Sequence, residues 1–163
     1  MPVELFRIDD RLIHGQVVVG WGQPLDVGYI VLVDDAVAGS EWEQELYRMG
    51  VPPTMDVYFD TESEFASHYP RYAGDRRPGI VLTGTVASML HIVESVPAIK
   101  AVNLGGLHHQ PGRRQRLRYV FLTDAEVDDL TRLAARGVTI TAQDVPACRP
   151  IPLVEILNGR GTP

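Results

Sequence analysis

The chain has 163 residues, 45% of them hydrophobic and 22% charged, with a formal net charge of −6. It is long enough for one domain that buries about two thirds of its unfolded surface without cross-links, and its acidic balance argues against general affinity for nucleic acid. The single cysteine, Cys148, excludes an internal disulfide, and no leader or membrane-spanning run is legible, since even the longest apolar stretch, GQVVVGWGQPLDVGYIVLV, is broken by Gly, Pro and Asp; a cytoplasmic location is expected.

Short runs rich in Val, Ile and Leu alternate with longer helical segments, the pattern of a mostly parallel sheet with helices on both faces. In chain order, strands are expected at residues 3–7, 29–33, 55–59, 80–82, 101–104, 119–122 and 138–142. Between the first two, Val17-Val18-Val19 prefers a strand by propensity, and Gly20 and Gly22 weaken a helix. A parallel sheet nevertheless needs a crossover there, and Pro24 ends the apolar run in time, so a short helix is expected.

Ser40-x-x-Glu43, Thr61-x-x-Glu64 and Thr123-x-x-Glu126 each fit a capping box, in which a hydroxyl and a carboxylate satisfy backbone donors at a helix start. A further helix is expected over 86–95. In the one after Thr123, Val127, Leu130, Leu133 and Ala134 share a face and Gly137 supplies a C-terminal cap. A short helix over 153–157 closes the series. The longest loop, 105–116, reads GGLHHQPGRRQR. With no repeat, low-complexity tract or linker, residues 1–163 read as one domain.

Ligands of such sheets bind beyond the carboxyl ends of the strands, where the winding direction reverses. The segment RIDDRLIHGQV, residues 7–17, begins at such an end and places Asp9, Asp10, Arg11 and His14 on the loop edge. His14 precedes Gly15 and Gln16 at a helix start, where free amides favour an anion. Arg11 adds a forked, permanently charged donor. An imidazole lone pair can attack a phosphoryl group near neutral pH, so these residues point to a histidine phosphorylation site. Spacing leaves open whether an aspartate such as Asp10 fixes the imidazole tautomer or orients Arg11. The plain alternative is a charged loop in which Arg7 pairs with Asp9 or Asp10 and His14 is solvated.

Other motifs carry less. Asp34-Asp35 and Asp60 suggest the acidic end of a receiver domain, but the only lysine, Lys100, precedes a strand instead of following one. Neither a G-x-G-x-x-G after the first strand nor a Walker signature is present. His108-His109 has no spaced partners to complete a metal site, and no cofactor is implied. Thr83-Gly84-Thr85 ends a strand and opens a helix, so it is either a second phosphate contact or a helix cap. Arg113, Arg114, Arg116 and Arg118 make a basic patch that is either solvated or a docking surface for an acidic or phosphorylated partner. Cys148 has no catalytic constellation around it.

RIDDRLIHGQV, the segment Val102-Asn103-Leu104-Gly105-Gly106-Leu107 with Pro111-Gly112, then Gly137-Val138 and Gln143-Asp144-Val145-Pro146, resemble the mannose/sorbose-type enzyme IIB component of the bacterial sugar phosphotransferase system over nearly the whole chain. The resemblance implies a mostly parallel seven-stranded sheet in the order 3-2-4-1-5-6-7. It implies a phosphocarrier that takes a phosphoryl group from enzyme IIA on His14, usually at Nδ1, and passes it to a sugar held by the membrane components IIC and IID. Arg11 then matches the phosphate-neutralising arginine, and Asp10, Gly15 and Gln16 the surrounding loop, with Thr83 at a comparable position. Leu12 and Ile13 either form the rim against which a partner packs or turn inward. Without IIC and IID, the same phosphohistidine would serve a regulatory binding module instead. Membrane association through those components and self-association are both compatible with this reading.

Overall fold

The computed structural model describes residues 3–158. Its centre is a seven-stranded sheet built from β1 (Leu5–Ile8), β2 (Tyr29–Val33), β3 (Asp56–Asp60), β4 (Gly79–Thr83), β5 (Ala101–Leu104), β8 (Thr139–Ala142) and β9 (Ile151–Pro152), in the order β3-β2-β4-β1-β5-β8-β9. All neighbours are parallel except β8 and β9. Side-chain alternation along the strands divides the core in two. Val31, Val33 and Val81 face α3 (Glu62–Ala73), α4 (Val86–Ser95) and α5 (Asp124–Ala135), whose Phe65, Met89 and Leu130 join the same cluster. Ile30, Leu32, Ile80 and Leu82 face the other layer, where Val17, Val18, Trp21 and Val37 pack. That layer contains α1 (Asp35–Ala38) and α2 (Glu41–Met49).

The expected order of seven strands is found, with one change in which segments fill it. Residues 119–122 do not join the sheet: β7 (Val120–Leu122) forms an antiparallel hairpin with β6 (Arg114–Leu117). The backbone groups of this segment are used twice over, because Leu107 N–H donates to the Tyr119 carbonyl and Phe121 N–H to the Leu107 carbonyl. Its apolar side chains Val120 and Leu122 still enter the core. The place beside β5 goes to β8, and β9 takes the edge, where Pro152 costs no ladder bond.

The Val17-Val18-Val19 segment is a helix, as topology requires, but of the wide π form over Gln16–Trp21, with Gly22 N–H reaching the Val17 carbonyl. Such turns are rare and concentrate at functional sites. The boxes at Thr61 and Thr123 form in full, whereas Ser40 sits at the start of α2 without using its hydroxyl. Gly137, at φ +87°, provides the left-handed turn after α5, and α6 (Leu153–Leu157) ends the described chain. Among the described residues no helix is long and apolar enough to cross a membrane.

Candidate functional site

The crossovers that leave β1 and β2 lead to one face of the sheet and those that leave β3, β4 and β5 to the other, so winding reverses between the adjacent strands β1 and β5. The crevice of such a fold opens beyond their carboxyl ends. There β1 delivers Asp9 and Asp10, β5 delivers Gly105 and Gly106, and β8 delivers Gln143 and Asp144. Backbone bonds tie these loops together: Asp9 N–H donates to the Thr83 carbonyl, Asp10 N–H to the Gly106 carbonyl, and Gly105 N–H to the Ile8 carbonyl.

Asp9 is the hub. Its side chain is shut off from solvent, and its carboxylate accepts from Arg11 Nε at 3.2 Å, Arg11 Nη2 at 3.2 Å, the Arg11 amide at 3.1 Å, the Gly106 amide at 3.2 Å and Arg7 Nη2 at 3.4 Å. Burial pushes its pKa up, but the hydrogen bonds from Arg11 and the charge of Arg7 outweigh it and leave the carboxyl below its usual range.

Beneath it, Arg7 is fully buried. Nη1 donates to the Asn103 side chain and to the Gln143 carbonyl, Nη2 also reaches the Asp144 carbonyl, and the guanidinium lies 4.8 Å from the Trp21 ring centroid. Burial lowers its pKa, against the opposing charges of Asp9 and Asp144. Gly105 is required for this packing, since a Cβ there would stand 2.3 Å from Arg7 Nη2 and 2.6 Å from Asp9 Oδ2.

His14 sits on the same carboxylate from above, with Nε2 3.8 Å from Asp9 Oδ2. Its Nδ1 lies 2.8 Å from the Leu12 carbonyl oxygen, which can only accept, so Nδ1 carries a proton in this ring position. Nε2 is buried and lacks a hydrogen-bond partner. The carbonyl reaches the ring because Leu12 adopts φ 60°, a left-handed conformation that costs a branched residue about 1–2 kcal/mol. Arg11 Nη2 also donates to Gln16 Oε1 at 2.9 Å, and Gln16 Nε2 donates to Asp144 Oδ1 at 2.9 Å. The Gly15 and Gln16 amides head the π-helix, where the first N–H groups have no intrahelical acceptor.

The structure thus brings His14, Arg11, Gly15 and Gln16 together. Asp10 points elsewhere: its carboxylate accepts from the His108 amide and meets His108 Nδ1, so the acid beside His14 and Arg11 is Asp9. Thr83 is buried under the loop with its hydroxyl donated to the Thr85 carbonyl, and it contributes through its backbone. Ile13 turns inward, lining a hollow with Trp42, Leu46 and Tyr47, and Leu12 lies over Gly84.

The arginines of the long loop do not form one free patch. Arg113 is paired through Nε and Nη2 to Glu126 at 3.0 and 2.8 Å, and Arg116 bonds the Leu157 carbonyl, which leaves Arg114 and Arg118 exposed. Arg7, Asn103, Gln143 and Asp144 were not legible as site residues. Their one signal is position, at or just past strands whose carboxyl ends share the crevice.

The family model for the sorbose subfamily IIB component of the phosphotransferase system matches residues 3–162. The N-acetylgalactosamine-specific phosphotransferase enzyme IIB component 1 of Escherichia coli K12 is 33% identical over 147 residues, covering 87% of this chain and 90% of the relative. The mannose-specific EIIAB component of the same strain is 28% identical over 97% of this chain, but the chain spans only 49% of that protein, about half its length. The solved IIB domain of the sorbose permease from Klebsiella pneumoniae is 28% identical with a TM-score of 0.86, covering 97% of both chains. Sequence and fold agree, and the chain belongs to the sorbose-subfamily IIB components of the phosphotransferase system.

Proposed function

We propose that the protein carries a phosphoryl group on His14, receiving it from the phosphohistidine of an enzyme IIA and passing it to a sugar held by IIC and IID membrane components. The observation that carries this reading is the shared carboxylate: Asp9 bonds the Arg11 guanidinium at 3.2 Å and lies 3.8 Å from the buried Nε2 of His14, in one crevice. The imidazole is the nucleophile, and the guanidinium balances the negative charge of the group in flight.

In the first step a ring nitrogen of His14 attacks phosphorus with its lone pair, the donor's N–P bond breaks, and the electron pair returns to the donor imidazole. In the second, a sugar hydroxyl oxygen attacks phosphorus, the N–P bond to His14 breaks with its electron pair returning to the imidazole, and the hydroxyl proton passes to a base at the sugar site. Attack by Nδ1 requires the ring to release the Leu12 carbonyl and move its proton to Nε2, which then donates toward Asp9. After that rearrangement Asp9 stabilises the tautomer whose lone pair is on Nδ1.

The relatives named above carry three different sugar names on one IIB fold, which supports a sugar choice made by the membrane components. The test is phosphorylation by phosphoenolpyruvate, the general phosphotransferase proteins and a matching IIA. An acid-labile, base-stable label that disappears in His14→Ala is expected; a label that persists in that variant overturns the assignment.

A further inference from the structure

A second histidine stands at the edge of the crevice. His108, on the loop after β5, donates its backbone amide to Asp10 Oδ2 at 2.7 Å and places Nδ1 2.6 Å from Asp10 Oδ1. Both atoms are thus fixed by one carboxylate, although the imidazole itself is 54% exposed. With Nδ1 committed, Nε2 is the free nitrogen, and no described residue hydrogen-bonds it. The ring borders the same backbone position as Arg11: a Cβ on Gly106 would lie 3.1 Å from His108 Cε1, 3.3 Å from Arg11 Nη2 and 3.4 Å from Arg11 Nε, so imidazole and guanidinium flank one glycine at the crevice.

Charge gives this meeting a purpose. Arg7, Arg11 and Arg113 supply three fixed positive charges at this edge, and Asp9, Asp10, Glu126 and Asp144 supply four carboxylates that bind them directly or through Gln16 or His108. Arg11 is therefore already engaged by Asp9 and Gln16 when a phosphoryl dianion arrives, and a second oriented donor shares that charge with it. Arg113 Nη1 also bonds the His108 carbonyl at 2.7 Å, which anchors the loop from the α5 side.

We propose that His108, oriented by Asp10, takes up a proton at Nε2 and donates it as a hydrogen bond to a phosphoryl oxygen during transfer at His14. This rests on the reading of His14 as phosphoacceptor. His108 forms no bond to phosphorus; it shares with Arg11 the charge of the group in flight, as an oriented donor does at a developing anion.

The experiment compares wild type, His108→Leu and His108→Gln in single-turnover phosphorylation by a phosphorylated IIA, with ³¹P NMR of the product. Gln places an amide donor near the position of Nε2, whereas Leu keeps bulk without a donor. Loss of one partly exposed donor predicts transfer about tenfold slower in His108→Leu, with recovery in His108→Gln, and a displaced phosphohistidine resonance in the Leu variant. Transfer at the wild-type rate in His108→Leu with an unmoved resonance overturns the role of His108 while leaving His14 in place. A wild-type chain that takes no label overturns the reading of His14 itself, and the inference with it.

Discussion

Arg7 and Asp9 face each other beneath the loop after β1 with 3.4 Å between Nη2 and Oδ2, both side chains fully shut off from solvent. They are two residues apart at one strand end, and the Arg11 guanidinium and the Gly106 amide both bond the Asp9 carboxylate. A buried ion pair is weak evidence of stability in itself, because desolvation offsets the attraction. Its removal by halves is another matter, since the remaining charge has no solvent to turn to.

Asp9→Asn is therefore expected to destabilise the fold by roughly 3–5 kcal/mol, because Arg7 keeps its charge in a buried position. Urea unfolding followed by far-UV dichroism measures it, and a loss under about 1 kcal/mol would contradict the hub role.

Arg11→Ala should separate function from stability. The side chain is 37% exposed, but two of its donors bond the buried Asp9 carboxylate. Transfer to His14 is expected to slow by about 10²-fold or more, with a loss of unfolding free energy of about 1–3 kcal/mol, since Asp9 keeps Arg7 as its partner. An unslowed folded variant would remove Arg11 from the mechanism.

Gly105→Ala places a methyl group against both members of the buried pair. Neither side chain has room to retreat, so a loss of about 3 kcal/mol or more is expected, the range of strongly overpacked cores. A wild-type melting temperature in this variant would mean that the Arg7–Asp9 contact is looser than described.

The same carboxylate sets a response to acid. Asp9 is depressed in the fold, so the folded state binds its proton less readily than the unfolded chain does. Its contribution is complete above the ordinary carboxylate range and is lost as pH falls through that range toward the lower folded value. Asp75, held down to about 2 by hydrogen bonds from Arg77, acts with the same sign nearer the surface. Unfolding free energy measured between about pH 5 and pH 2 should fall steadily; a flat profile would contradict the depressed values.

The fold was legible in the sequence where backbone demands were local. The Thr61 and Thr123 boxes and the apolar face of α5 announce themselves within a few residues, whereas the crossover at Val17-Val18-Val19 followed from topology against a local preference for strand. His14 and Arg11 were legible because their loop follows a strand end. The choice between Asp9 and Asp10 was not: adjacent residues leaving a strand point to opposite sides, and pairing with Thr83 and Gly106 decides which one enters the crevice. Composition likewise suggested a free basic patch, whereas Arg113 finds Glu126 and Arg116 finds the Leu157 carbonyl, partners 13 and 41 residues away. Residues 119–122 read as a sheet strand because their apolar character is real, but a hairpin closer in the chain uses their hydrogen bonds first.

The most direct test of the account is the site of phosphorylation itself. After labelling through phosphoenolpyruvate, the general proteins and a matching IIA, peptide mapping under alkaline conditions should find one phosphohistidine, at His14, and none in His14→Ala. A label on any other residue of the wild-type chain, or an equal label in the variant, would contradict it.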